Sequence, residues 1–314
     1  MMNAFNLQWI VVVFLSYLLT LILIPASMKL GRFMNAVDNP GALKIHNAPT
    51  PRTGGVAVFS SVFVILLLCP LLTESLPWQV KTLLGFAFLA LFLVGCVDDI
   101  KTLPPHIKLP VHMFSSFVAV VGLNVGYEMN ALHSIFIFLF ILMYINSFNL
   151  IDGMDGLAGG LAFIIAIAIS TVALFMSNSM VQLLSLLLAS SVAAFLVFNV
   201  NPAKLFLGDC GSTGLGFSLA VLISMLWVQS ETHHIWVPLL FIVSLPLMDT
   251  VSVILKRLIR HQSVFAGDRS HLYDTLLQRG LSIRQTLLLF YAGAIVVAAA
   301  GIYIFWVQFS RIPS

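Results

Sequence analysis

Charge is what this sequence has least of. Only 9% of its 314 residues are Asp, Glu, Lys or Arg, against roughly 25% in soluble globular domains. So few charges cannot furnish the polar surface of a water-soluble fold this size. That excludes a soluble enzyme, a disordered protein and a nucleic-acid binder, despite an isoelectric point near 8.8. Cysteine is scarce too. Cys69, Cys96 and Cys210 are an odd number set far apart, which speaks against a disulfide framework and against a zinc site. Glutamate is limited to Glu74, Glu128 and Glu231.

What is abundant is apolar. Hydrophobic residues make up 60% of the chain and mean hydropathy is +1.05. The class is an all-α polytopic membrane protein, because spanning a bilayer takes roughly 20 mostly apolar residues per helix. Ten stretches qualify, near 6–25, 56–72, 82–97, 111–126, 134–151, 161–177, 182–198, 214–229, 235–254 and 286–307. The first is expected to be an uncleaved helix, since its basic residues, Lys29 and Arg32, follow the apolar run instead of preceding it. No composition shift, low-complexity tract or repeat divides the chain, so residues 1–314 read as one integral-membrane unit.

Alternating the loops between two sides puts 13 of the 15 Lys and Arg residues on one side. The positive-inside rule makes that side cytoplasmic and places both termini outside. All nine Asp lie on or near the same side, and all three Glu lie on the other. The rule says little about acids, so a one-sided set of Asp calls for a chemical reason.

Five inner segments carry candidate chemistry. Asp98-Asp99 ends an apolar run; at about 6 Å and an effective dielectric of about 20, two such charges repel by roughly 3 kcal/mol. Either one is protonated or a cation sits between them, unless the pair is only a polar helix cap; Lys101 and Lys108 follow closely. Asn146, Asn149 and Asp152 recur every three residues, on one helix face, and lead into Gly153-Met154-Asp155-Gly156. An EF-hand reading of that turn fails, because Phe163 stands where the loop needs Glu. Asn199 to Gly214 is a Gly-rich turn entering a helix, a geometry that favours phosphate. In it Asp209 is placed to share a metal with phosphates, and Phe206 either stacks on a base or packs in the core. The last inner loop holds Arg269 and His271, suited to a diphosphate or sugar or equally to anionic lipid. The first holds Asp38, Lys44, His46 and Arg52 among Pro and Gly turns. Together they predict an oxygen-ligated divalent site on phosphorylated substrate, magnesium with manganese as a substitute.

These motifs, taken in order, resemble the polyprenyl-phosphate N-acetylhexosamine-1-phosphate transferases, nearest the WecA-type undecaprenyl-phosphate N-acetylglucosamine-1-phosphate transferases. The resemblance covers nearly the whole chain and implies ten or eleven helices with a cytoplasmic active site. It implies catalytic roles for Asp98, Asp99 and Asp152, with Asp98 the base toward the lipid phosphate. It implies magnesium on Asp209, with Asp152 beside it. Asn149, Asp155, Asn199 and Phe206 correspond to the nucleotide pocket. Lys44, His46, Lys108, Asn146, Arg269 and His271 correspond to phosphate- and substrate-binding positions. The implied partners are a UDP-sugar, undecaprenyl phosphate and the bilayer, with no nucleic acid and a homodimer left open. The implied reaction releases UMP and is the first membrane step of a cell-surface polysaccharide such as O-antigen.

The last loop departs from the family pattern His-x-His-His. His271 is kept, but Tyr273 and Asp274 replace the other two histidines. A Tyr-bearing loop is similar to members that transfer 6-deoxy-N-acetylhexosamines, so N-acetylfucosamine or N-acetylquinovosamine stands as the alternative to N-acetylglucosamine. Two other classes fit less well. An intramembrane aspartyl protease needs Gly-x-Gly-Asp, whereas position 206 is Phe and Asp209 is expected in a loop. An ion-coupled transporter places its charges near the midplane.

Overall fold

The computed structural model describes residues 7–40, 48–69, 76–230, 235–263 and 270–310. Among these residues the chain forms eleven helices and one two-stranded ladder. Nine helices are long and apolar enough to cross a membrane: α1 (Leu7–Phe33), α3 (Trp78–Ile100), α4 (Pro105–Tyr127), α5 (Ala131–Ile151), α6 (Leu157–Phe175), α7 (Ser179–Asn199), α8 (Asp209–Val228), α9 (Trp236–Ile259) and α11 (Ile283–Phe309). The tenth expected span is α2 (Gly54–Leu68), which has only 15 residues and is about 22 Å long at 1.5 Å per residue. The short α10 (Leu272–Gln278) lies in the last inner loop.

Nine of the ten expected spans are present at full length among the described residues, and several helices run past their apolar stretches. α1 continues two turns beyond the expected end and carries Lys29 and Arg32; it stops where Asn35 takes a positive φ of 57°. Hydropathy marks the part in lipid, whereas a helix continues until its backbone is turned. α11 begins at a capping box in which Ser282 and Gln285 satisfy each other's backbone N–H groups. α8 begins at Asp209, five residues before the expected start. This corrects the placement of Asp209 in a loop: it is the first residue of a helix.

α8 is the centre of the bundle. It is buried along most of its length and packs on α2, α3, α5, α6 and α7. Gly95 lets α3 approach so closely that a Cβ there would run into the Cys210 backbone. Between lipid-facing helices, where burial gives little drive to associate, such close approach and interhelical hydrogen bonds hold the packing. Ser16, Ser61 and Ser191 do this for α1, α2 and α7, with Ser16 Oγ to Ser191 Oγ at 2.7 Å and Ser61 Oγ to Ser191 Oγ at 3.0 Å. The ladder pairs β1 (Val37–Asp38) antiparallel with β2 (Thr50–Pro51), and Gly54 and Gly55 N–H donate to Phe206 O and Leu207 O, which tie the start of α2 to the segment before α8.

Candidate active site

The site is built where the end of α3, the start of α4, the end of α5 and the start of α8 meet. Asp98 and Asp99 occupy the last turn of α3, and both are buried. Their directions differ, because successive helix residues point about 100° apart. Asp99 faces α8: its Oδ1 accepts from Asp209 N–H at 2.7 Å and its Oδ2 from Cys210 N–H at 3.2 Å. The residue before the helix is Gly208, which has no side chain to cap those groups. The carboxylate of Asp99 does so from another helix, where the positive end of α8 favours it. Gly208 itself is required by geometry: its φ is +77°, and a Cβ there would meet the Arg52 carbonyl and both Asp99 oxygens.

Asp98 faces α4. Its Oδ1 accepts from Leu103 N–H at 2.6 Å, and its Oδ2 lies 3.2 Å from Lys108 Nζ. The same ammonium lies 2.9 Å from Asp209 Oδ2. One fixed cation therefore joins two carboxylates from α3 and α8, Asp98 and Asp209. It bridges this pair and not the adjacent Asp98 and Asp99, because Asp99 turns to the start of α8. Charge-assisted contacts of this length are strong.

The Asn-x-x-Asn-x-x-Asp element lies along the end of α5, but its members reach different helices. Asn146 Oδ1 is 3.2 Å from His112 Nδ1 on α4, and Asn146 Nδ2 donates to Leu142 O at 2.7 Å. Asn149 Nδ2 donates to Ser212 Oγ on α8 at 3.2 Å. Both Asn are part-buried. Asp152 follows α5 directly and is part-buried. Burial lifts its carboxyl well above the usual carboxylate range; the charges of Asp209 and Asp99 add to this, and Arg52 opposes it.

The remaining predicted residues hold the surrounding loops. Asp155 Oδ2 accepts from Asn201 Nδ2 and from Ala203 N–H, both at 3.0 Å. Asn199 Oδ1 accepts from Gly156 N–H at 2.9 Å while its Nδ2 donates to Leu205 O at 2.9 Å. Its amide thus ties the 153–156 turn to the segment before α8. Phe206 is part-buried; its N–H donates to Pro51 O at 2.8 Å and its carbonyl accepts from Gly54 N–H at 2.9 Å, so it stitches β2 and α2 to the site. His271 is paired with Asp249 at 2.6 Å. Lys44, His46 and Arg269 lie outside the described residues.

The sequence reading assigns no role to His112, Ser212 or Asp249. Lys108 and His112 are one helical turn apart, a signal that could have drawn His112 in. Ser212 sits inside the Gly-rich run already singled out. Asp249 stood in the one-sided Asp set, yet only folding gives it a partner.

Among the described residues, no three or more His, Cys, Asp or Glu side chains gather as a closed metal cage. The donors present are carboxylates, amides and a hydroxyl. Such a set fits a hard cation that takes one or two carboxylates and completes its shell with phosphate and water.

A helical membrane bundle with an oxygen-rich, cation-bridged carboxylate site at one end defines an all-α polytopic membrane protein. Residues 81–227 match the family described as Glycosyl transferase family 4. Over 94% of the chain and 87% of the relative, the sequence is 32% identical to a probable undecaprenyl-phosphate N-acetylglucosaminyl 1-phosphate transferase of Bacillus subtilis (strain 168). It is 26% identical to the undecaprenyl-phosphate alpha-N-acetylglucosaminyl 1-phosphate transferase of Escherichia coli (strain K12), over 91% of the chain and 81% of the relative. The protein of the same name in Yersinia pestis is 28% identical over the same shares. The chain belongs to glycosyl transferase family 4.

Proposed function

We propose that the protein transfers N-acetylglucosamine 1-phosphate from UDP-N-acetylglucosamine to undecaprenyl phosphate, releasing UMP, as the first membrane step of a cell-surface polysaccharide. The relatives' names favour N-acetylglucosamine over a 6-deoxy sugar, and an enzyme over a transporter. The observation that carries the reading is the Lys108 ammonium between Asp98 and Asp209 at the helix ends, where a lipid phosphate at the membrane face can reach it. The excess of Lys and Arg on that side supports a cytoplasmic orientation.

In the reaction an oxygen of the lipid phosphate forms a bond to the β-phosphorus of the UDP-sugar. The bond from that phosphorus to the bridging oxygen breaks, and UMP leaves with the electron pair. Asp98 faces the acceptor and takes any proton the lipid phosphate still carries. Most of that phosphate is ionised at neutral pH, so positioning and charge neutralisation carry most of the rate. Lys108 offsets part of the charge of the two carboxylates and of the incoming phosphates. Asn149, held by Ser212, and the backbone around Asn199 and Phe206 border the nucleotide. Asp209 and Asp152 would hold magnesium, which when bound supplies neutralisation of the diphosphate.

The test is a transfer assay on purified protein in detergent, with undecaprenyl phosphate, magnesium and a panel of UDP-sugars. Release of UMP with UDP-N-acetylglucosamine, lost on adding a chelator, is the expected result. A preference for a 6-deoxy donor would overturn the sugar assignment. No UMP from folded protein with any donor would overturn the transferase reading.

A further inference from the structure

Asp249 lies inside α9, and its side chain is 1% exposed; the His271 side chain, just before α10, is 5% exposed. A carboxylate placed this deep needs partners for both oxygens. Asp249 has them in one short stretch of chain: Oδ2 lies 2.6 Å from His271 Nδ1, and Oδ1 accepts from Leu272 N–H at 2.8 Å. Lys256 Nζ, further along α9, donates to Ser270 O at 3.1 Å, one residue earlier. α9 therefore grips the chain at Ser270, His271 and Leu272. The His271 ring stacks on Tyr273, with centroids 5.6 Å apart and planes 14° apart. The Tyr273 hydroxyl in turn fills the space a side chain at Gly153 would need, next to Asp152.

We propose that Asp249 is a positioning residue for the transfer reaction, acting through His271. This inference rests on the functional reading above. The carboxylate engages Nδ1 and fixes the ring plane, so Nε2 is the nitrogen His271 has for substrate. An imidazole held by a carboxylate in this way has its tautomer and orientation chosen before substrate arrives. Through the stacked Tyr273, whose hydroxyl fills the space at Gly153, the placement of the ring carries over to the turn that follows Asp152. A misplacement of about 1 Å at such a contact costs up to about 100-fold in rate.

A double-mutant cycle in the UMP-release assay tests this, using Asp249→Asn, His271→Ala and both together. Asp249→Asn keeps the shape and removes the charge. The expected result is a kcat lower by about 10- to 100-fold, with KM for UDP-N-acetylglucosamine within about threefold, in protein whose Tm shows it folded. In the His271→Ala background the same change should cost less than about twofold, because the residue it acts through is gone. Equal losses in both backgrounds, or no loss in the folded single variant, would overturn the proposal. If Asp249→Asn does not fold, Asp249→Glu carries the same cycle, since it keeps the charge and displaces the ring by one methylene. A wild type that releases no UMP is a different outcome: it overturns the transferase reading and this inference with it.

Discussion

Lys108 and Asp209 are 101 residues apart in the chain, and their side chains meet at 2.9 Å. The same ammonium reaches Asp98 at 3.2 Å, so one lysine stands between two carboxylates that α3 and α8 bring side by side and offsets part of their charge. Removing it leaves two like charges facing each other, and the site must then recruit a mobile cation. Lys108→Ala is expected to lower kcat by on the order of 100-fold and to raise the magnesium concentration needed for half-maximal rate. Steady-state UMP release across a magnesium titration checks both. An unchanged magnesium dependence would show that the lysine does not share the role of the metal.

The two adjacent carboxylates are expected to separate into different roles. Asp99 caps α8 with both oxygens, so Asp99→Ala leaves buried N–H groups without a partner, at a cost of about 1–3 kcal/mol. Asp98→Asn keeps the Leu103 contact and removes the charge toward Lys108. Thermal unfolding should show a clear loss for Asp99→Ala and little change for Asp98→Asn. Transfer by folded protein should show the reverse ranking. A folded Asp98→Asn variant that transfers at near-normal rate would remove Asp98 from catalysis.

Asp152 has a carboxyl raised by burial and by Asp209 and Asp99. A raised carboxyl binds its proton more tightly in the folded state than in the unfolded state. Metal-free protein therefore loses stability as pH rises from the ordinary carboxylate range, near 4, up to the raised value. Asp152→Asn removes that loss. At neutral pH in a chelator its Tm should exceed that of the wild type by a few degrees, while transfer falls by on the order of 100-fold. A lower Tm for the variant would show that the charged form is stabilised in the fold.

Gly208→Ala tests the turn into α8. Its positive φ and the nearby Arg52 carbonyl and Asp99 carboxylate leave no room for a methyl group. The strain is expected to cost about 1–3 kcal/mol. Because relief would move Asp209, transfer should fall as well. A variant as stable and as active as the wild type would mean that the turn relaxes without disturbing the site.

How much of this was readable beforehand differs by element. The nine long spans were legible because each is a local run of apolar side chains, and transfer into lipid depends on the sum over that run. The ends of the helices were less legible. α1 and α8 continue through polar residues, and their limits come from a positive φ at Asn35 and from a cap that Asp99 supplies across the bundle. The candidate site was legible as a set of residue types on one side, together with the resemblance its motifs carry. Its internal assignments were not: Asp98 and Asp99 look alike in the chain, and only the packing of α3 against α8 and α4 gives them different partners.

The amino-acid order by itself determined the class, the spans, the side on which the Asp and basic residues collect, and the family. These rest on composition and short-range pattern, which need no knowledge of what packs against what. The tertiary structure decided that Lys108 stands between Asp98 and Asp209, that Asn199 and Asp155 brace loops, and that Asp249 holds His271. Each of those contacts joins side chains that no local rule links. Each exists because helices packed in lipid place their few polar groups where those groups can satisfy one another, and an unpaired one there is costly.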